Sequence, residues 1–591
     1  MIEKIDLSTA NVMIHGTDAV QAYEVVSILV QREAQKIPSA RIVVRDGDAA
    51  KRDFKASSGK LFVPGNEVEI KLGYHGKNLS VFQGLITGQA IRVEPGGGSR
   101  LVVECRDKAV KMTVDRHCAY FSKMTDGEVM RRIIEKYGLF ASVASTTPSF
   151  PEITQYDTTD WDFLLTRAEA NGFVVVVDSG RVTIARPDPS KSPSLSLTHG
   201  FDLLGFSLDL DARTQITSVE CSAWDMKSQA MITASQSIQN LNALGEDKSA
   251  QLAKATGSAS CKLTTSAALH KDSLKAWAQG RLIKSEMSKI RGTIRFQGSA
   301  SAQPGSVIEL NGLGDRFNGQ AYLSGVTHRF EEGDWNTEGI VGLSPEWFSS
   351  RTGVSATPAT GLLPAVSGLQ IGVVKQIHQD PENLFRVLVN IAVVGNTGSG
   401  IWARLASPYA TDKAGHFFYP EVNDEVVLGF LNDDPSFPVI LGGLFSSART
   451  PPYTPDQENG NKAIVTKAGL RVWFDDKNRV ITVATPNANK VVLSDKDQNI
   501  LIQDQNGNRV RMSSSGIAIE SATNILMKAS QNVTIEASAG SMTLKGTQGV
   551  SISGLKISAV ADTEFTASGG AKAAVTSAGQ TQIQGGLVMI N

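Results

Sequence analysis

The residues that could do chemistry in this chain are few and scattered. Glu421, Asp424 and Glu425 crowd three carboxylates into five positions. Paired carboxylates can work as the acid and base of a glycosidase. These three, however, sit beside Pro420 and Val422 and run into the strand-like EVVLGFL, so a solvated turn accounts for them better. Asp433-Asp434 and Asp475-Asp476 could attract Ca²⁺, but neither has the ligand spacing of an EF-hand loop. They too read as solvated turns. The histidines are His15, His75, His117, His199, His270, His328, His378 and His416. None lies beyond position 416, which excludes a His-x-His iron site near the C-terminal end. His378 and His416 read as surface or capped side chains. Cys105, Cys118, Cys221 and Cys261 show no CxxC spacing. PGGGS (95–99) leads into a strand and lacks a following Lys-Ser/Thr, so it reads as a hairpin turn and not as a phosphate loop. No HExxH, GxSxG, P-loop or zinc spacing occurs. The expectation is a protein with no catalytic residue, no cofactor and no metal.

Composition points the same way. The chain has 591 residues, or roughly four domains at the usual size. It carries 58 Lys and Arg against 59 Asp and Glu, for a net charge of −1. That balance lacks the basic excess needed to neutralise phosphates, so no nucleic-acid partner is expected. The N-terminus, MIEKIDLSTANVMIHG, lacks a basic stretch followed by an apolar one, and no run of 18 apolar residues occurs. Synthesis in a reducing cytoplasm is expected, with any exit by a route other than a cleaved signal.

The elements that position these residues come next. VEIKLGYH, LSVFQGLITG, QAIRVE and RLVVECRD are short strands. Three helices are predicted. The first covers 125–138, with Thr125 or Asp126 as cap and Gly138 as stop. The second covers 158–172, capped by Thr159 or Asp160, with Trp161, Leu164, Leu165 and Ala168 as its buried stripe. The third covers about 267–289. Trp161 and Trp277 read as core anchors. PGNEVEIKLGY…FQGLITG (64–88) echoes PGSVIELNGLG…YLSGVTH (304–328), as two similar small barrels would. The segment 351–368, rich in Ser, Thr, Pro and Gly with almost no charge, reads as a linker, and 447–462 reads as a second one.

The last region is repetitive. GIAIE, NILMK, NVTIE, SMTLK and GVSIS recur about every eight residues. Each holds two inward aliphatics around an outward residue: Ile517/Ile519, Ile525/Met527, Val533/Ile535, Met542/Leu544 and Val550/Ile552. These ten are expected to form a needle core. A single strand per unit has no partner for its own backbone. Either one chain coils through three units per turn, or three chains wind together. Slim aliphatic interiors and the scarcity of aromatics favour the three-chain rod. Outward Glu520, Lys528, Glu536 and Lys545 alternate in sign and would form an inter-chain ladder. About fifteen strands at ~4.8 Å give a rod roughly 70 Å long. Leu587, Val588, Met589, Ile590 and Asn591 would leave an apolar strand edge at its end. We expect a partner to cap them.

Three stretches carry a family resemblance. QYDTTDWDFLLTRAEANGF (155–173) combines an aromatic-acidic run with Phe163, Arg167, Glu169 and Gly172. GSVIELNGLGDRFNGQAYLSGVTHRFEEGDW (305–335) closes the first region. Within 402–452, Pro420-Glu421-x-x-Asp424-Glu425-Val426 and Asp434-Pro435-x-x-Pro438-Val439-Ile440-x-Gly442 are the most specific. With these, the chain resembles the valine-glycine repeat (VgrG) spike proteins of bacterial contractile injection systems, which are similar to phage hub and needle proteins fused together. The resemblance implies a mainly β fold with minor α. Its parts would be a first hub β-barrel (1–110), an α/β hub insertion (111–200), a second hub β-barrel with a helix (201–350), a linker (351–368), an OB-fold (369–446), a second linker (447–462) and a triple-stranded intertwined β-helix needle (463–591). It also implies a homotrimer seated on an inner-tube ring with baseplate proteins. A PAAR-type protein would sit on the tip, effector cargo would be carried, and a target membrane would be punctured. The machine could be a type VI secretion system, an extracellular injection particle or a phage tail. The octads are poor in the Val-Gly pairs of the family, and the second linker leaves no room for a lysozyme domain. A cell-wall or glycan hydrolase on a β-solenoid scaffold is the alternative outside this class.

Overall fold

A computed structural model describes residues 7–95, 98–241, 243–257, 260–351, 353–395 and 399–590. They form two compact units, Met1–Leu444 and Phe445–Asn591. Gly96 and Gly97 of the PGGGS turn lie outside the described residues.

The first unit is organised by one 13-stranded sheet. One end of it is Leu203–Leu210, followed by Ile290–Gln297, Asp334–Val341 and Gly319–Glu331. The other end holds Val25–Glu33, Ser39–Arg45, Gly98–Arg106, Lys77–Glu94, Glu67–Tyr74 and Ser8–Ile14. Alternation produces these strands: STANVMI (8–14) buries every second side chain. The sequence suggested two barrels, and two cores do form. One gathers Val12, Ile28, Ile42, Phe62, Ile70 and Leu101. The other gathers Ile294, Phe296, Ile308, Leu310, Leu323 and Val341. One strand serves both cores. Residues 319–322 pair with Val307–Asn311, and residues 325–331 pair with Val25–Glu33. The switch falls at an irregularity between Leu323 and Gly325. A bulge there bends the strand from one core to the next.

The echo between 64–88 and 304–328 is a structural repeat. The Gly65 N–H donates to the Ile86 carbonyl at 2.8 Å, and the Ile86 N–H donates to Asn66 at 2.9 Å. The Gly305 N–H donates to the Leu323 carbonyl at 2.8 Å, and the Leu323 N–H donates to Ser306 at 2.9 Å. Both glycines have positive φ, +100° and +84°, where a side chain would be strained.

Two α/β layers decorate the sheet. In the first, helix α1 (Asp126–Lys136) and helix α2 (Asp160–Ala170) share a core with Trp161, Leu164, Val175 and Ile184. Thr125 and Glu128 form a capping box on α1, and Thr159 caps α2. In the second, helix α3 (Lys271–Met287) lies on the strands Ser218–Asp225, Ala230–Ser237 and Ser260–Thr265 through Leu274, Ala278 and Leu282. Trp161 is buried, as a core anchor should be, while Trp277 is half-buried beside this core.

The acidic-aromatic stretch 155–173 is the joint between these layers. Asp160 receives hydrogen bonds from Lys136, Tyr137 and Gln155, each at 2.8 Å. Burial raises its pKa, but these donors outweigh that and hold it below the ordinary carboxylate value. Arg167 grips buried Asp126 with two bonds of 2.6 and 2.8 Å. Glu169 pairs with Lys284 of α3 and accepts the Phe348 N–H at 2.6 Å. These charges lock α1, α2 and α3 together.

A closed five-stranded barrel follows, in the order Gln370–Gln376, Val387–Ile391, Ile401–Leu405, Pro438–Gly443, Glu425–Phe430. Its core is Val374, Val387, Val389, Ala403, Val426, Leu428 and Ile440. Asp424 accepts the Glu421 N–H at 2.8 Å, and Asp434 accepts the Ser436 N–H at 2.8 Å. Of the carboxylates singled out in the sequence, Asp424 and Asp434 thus shape turns. Among the described residues no helix is long and apolar enough to cross a membrane.

Candidate trimer and tip interface

The second unit begins as a meander of seven antiparallel strands: Asn461–Val465, Arg471–Asp475, Val480–Ala484, Lys490–Ser494, Asn499–Gln503, Arg509–Ser513 and Gly516–Glu520. Short polar turns join them. Asp475 accepts from the N–H and side chain of Asn478 at 3.0 and 2.8 Å. Asp504 does the same for Asn508 at 2.9 and 2.7 Å. These bonds, led by the Asn side chains, hold both carboxyls below their usual pKa. Asp476 pairs with Lys462.

The registers put two rows of apolar side chains on one face of this sheet. One row runs Phe474–Ile481–Leu493–Ile500–Met512–Ile517. The other runs Val472–Val483–Val491–Ile502–Val510–Ile519. Directly opposed residues in antiparallel strands share a face. None of these twelve side chains is buried in the chain itself. A continuous apolar face of this extent is a mark of an interface.

Beyond Glu520 the chain changes character. Arg509 pairs with Glu520 at 2.6 Å, and Asn508 takes bonds from Ser521 and Ala522. After that, among the described residues 521–590, there is no strand pair and no backbone-to-backbone hydrogen bond. The octads expected as strands include one observed strand, Gly516–Glu520. The reading in which one chain coils on itself finds no pairing in this segment.

The ten side chains expected to face a needle core form none within the single chain. Ile517, Ile519, Ile525, Met527, Val533, Ile535, Met542, Leu544, Val550 and Ile552 are all exposed, at 56% to 69%. These residues are expected to meet across three chains, and a single chain leaves them open for a physical reason. One strand per octad supplies a single wall, and among the described residues of this unit the wall stays open. Seventy residues with unpaired peptide groups and exposed aliphatics cannot be a finished fold.

At the far end, Leu587, Val588, Met589 and Ile590 are likewise exposed. Asn591 lies outside the described residues. The sequence reading missed the earlier rows. Their signal was present as the aliphatic or aromatic pairs 472/474, 481/483, 491/493, 500/502 and 510/512. Among the described residues no group of three or more His, Cys, Asp and Glu side chains is arranged to hold a metal ion.

Comparison with known proteins adds the family. Residues 4–332 match the Alg8 N-terminal domain. Residues 370–445, the five-stranded barrel, match the type VI secretion system/phage-baseplate injector OB domain. Residues 480–591 match the phage baseplate V C-terminal trimerisation domain. The chain belongs to the Alg8 N-terminal domain family and to the VgrG family of spike proteins. It is 27% identical over 207 residues to the type VI secretion system spike protein VgrG1b of Pseudomonas aeruginosa, covering 32% of this chain and 27% of that one. It is 26% identical over 207 residues to VgrG1a of the same organism, covering 32% and 31%. The chain thus spans under a third of the length of these VgrG relatives. Among solved structures, a 43 kDa tail protein of prophage MuSo2 from Shewanella oneidensis has a TM-score of 0.44 at 12% identity, covering 57% of this chain and 98% of that one. The E. coli c3393 protein, described as a type VI secretion component, has a TM-score of 0.37 at 14% identity, covering 73% and 99%.

Proposed function

We propose that the chain is the trimeric spike and hub at the tip of a contractile injection machine's inner tube. One observation carries this reading. The two apolar rows of the meander end at Ile517 and Ile519, and in the sequence the exposed pairs Ile525/Met527, Val533/Ile535, Met542/Leu544 and Val550/Ile552 follow at the same two-residue spacing. Three copies winding together would bury both rows on a common axis and pair every orphan backbone group. The narrow side chains on the rows suit that axis, and the match of this segment to a trimerisation domain supports it.

The remaining parts of the reading follow from this rod. The 13-stranded unit with its internal repeat is the hub that meets the tube ring and baseplate. The rod's apolar end at Leu587–Ile590, with Asn591 after it, takes a PAAR-type tip protein. Contraction drives the spike, with any effector it carries, out of its cell and through a target membrane. The protein works mechanically and turns over no substrate.

Native mass measurement beside a peptidoglycan-hydrolysis assay tests this. The expected result is three times 63.1 kDa with no hydrolysis. A stable single chain, or measurable turnover, would overturn it.

A further inference from the structure

One strand of the 13-stranded sheet outruns its neighbour. Lys77–Glu94 pairs with Glu67–Tyr74 on one side only as far as Leu85. On its other side it pairs with Gly98–Arg106 all the way to Glu94. Residues 88–94 therefore have one paired edge and one open edge. Among the described residues no other backbone group bonds to the open edge. A Cβ added to Gly88 would meet no atom within 4 Å. An open strand edge is a template for another strand.

The two faces of this arm say what the incoming strand must carry. Directly opposed residues share a face. On one face Arg45, Arg100 and Arg92 stand in a row across three strands. Like charges directly opposed destabilise a sheet. Two positions further along the same face, Arg41 stands opposite Glu104 and pairs with it at 2.7 Å. The arginine row has no such balance within it. Glu24 answers Arg45 at 2.9 Å. Arg100 and Arg92 are exposed and, among the described residues, are held by no ion pair. A single charge is enough to guard an open edge. Three in a row repel one another, and this row ends at the open edge. Its next place suits a carboxylate on an added strand, which a guanidinium can grip with two hydrogen bonds.

On the other face Val44, Leu101 and Ile91 form an apolar row. Val44 and Leu101 are fully buried, whereas Ile91 at the edge is 47% exposed and Val93 beyond it 65%. The places beside these two suit aliphatic side chains, which would remove that surface from water. A phosphate polymer fits this edge poorly. It would leave the aliphatics bare and would meet Glu94, which shares the face of Arg92.

We propose that residues 88–94 take up an extended segment of a partner protein by strand addition, with the order aliphatic, acidic, aliphatic opposite Ile91, Arg92 and Val93. Backbone hydrogen bonds supply the affinity, and the arginine row selects the charge. The inference is independent of the trimeric rod.

The test uses the full chain with a short, end-blocked peptide alternating Val and Glu, and beside it a peptide alternating Val and Lys. The Val/Glu peptide should bind roughly tenfold more tightly than the Val/Lys peptide. Hydrogen–deuterium exchange follows the amides of 88–94 that face away from residues 98–106. They should exchange fast in the free protein and slow down when the Val/Glu peptide is bound. Arg92→Glu combined with Arg100→Glu should reverse the preference between the peptides, a gain of binding that a misfolded variant could not give. No binding of the Val/Glu peptide, equal affinity for the two peptides, or binding that leaves 88–94 unprotected overturns the inference. So does slow exchange of these amides in the free full-length protein, because the edge is then already filled by a second copy.

Discussion

The hub sheet and the tail sheet are both long antiparallel arrays with alternating side chains, yet one is finished and the other is not. In the hub, Ile28, Ile42, Ile70 and Leu101 alternate into a closed core and are fully buried. In the tail, Ile481, Leu493, Ile500 and Met512 alternate just as regularly and end on an open face. Apolar patterning specifies that a face will be covered, not by what. The hub covers its face with its own chain, through a shared strand and added helices. Among the described residues the tail has neither a second layer nor a helix. Its lack of aromatic bulk beyond Phe474, apart from Phe565, fits the proposal that the covering layer is another copy across a narrow axis.

The strongest break in this comparison is charge on the tail rows. Leu493→Asp with Ile502→Asp puts six carboxylates into a three-chain interior, where each unpaired charge costs several kcal/mol. The expected outcome is a fall in native mass from three chains to one, with the hub's melting transition unmoved. Next in size is a cavity in the hub. Phe296→Ala should cost about 3–5 kcal/mol. Denaturant titration should show the loss in the hub transition at every protein concentration, with native mass unchanged. A smaller effect separates the helical layer from both sheets. Asp160→Asn should cost about 1–3 kcal/mol by weakening bonds to Lys136 and Tyr137. The folded-state pKa of Asp160 is depressed, so its contribution is present above the unfolded carboxylate value near pH 4 and is lost as pH falls through the lower folded value. Melting curves taken from neutral to acid pH should converge for wild type and variant at the acid end.

Much of this was legible in the sequence, and the gaps have physical causes. The caps Thr125 and Thr159 and the stops Gly138 and Gly172 are local signals, and helices α1 and α2 lie between them. The hub repeat was readable because Gly65 and Gly305 mark backbone conformations that few residues adopt. The strand shared between the two cores was not. Nothing local at Ser324 says that residues 319–322 and 325–331 will pair with different strands. The tail octads were visible from Gly516 onward because their spacing is nearly constant. Their periodicity marks which side chains share a face, such as Met527, Ile535 and Leu544, but one chain alone leaves that face open. The earlier pairs recur every nine or ten residues and are interrupted by hairpin turns such as Asp504–Asn508. An eight-residue template therefore passed over Val472, Ile481 and Leu493, which extend the same face.

The central claim is that residues 521–590 are ordered only by other copies of the chain. Hydrogen–deuterium exchange of the full-length protein at neutral pH tests it most directly. Three intertwined chains pair these backbone amides, so the account predicts protection lasting hours and comparable to that of the hub strands. Exchange of this segment within seconds, at protein concentrations where the hub is fully protected, would contradict it.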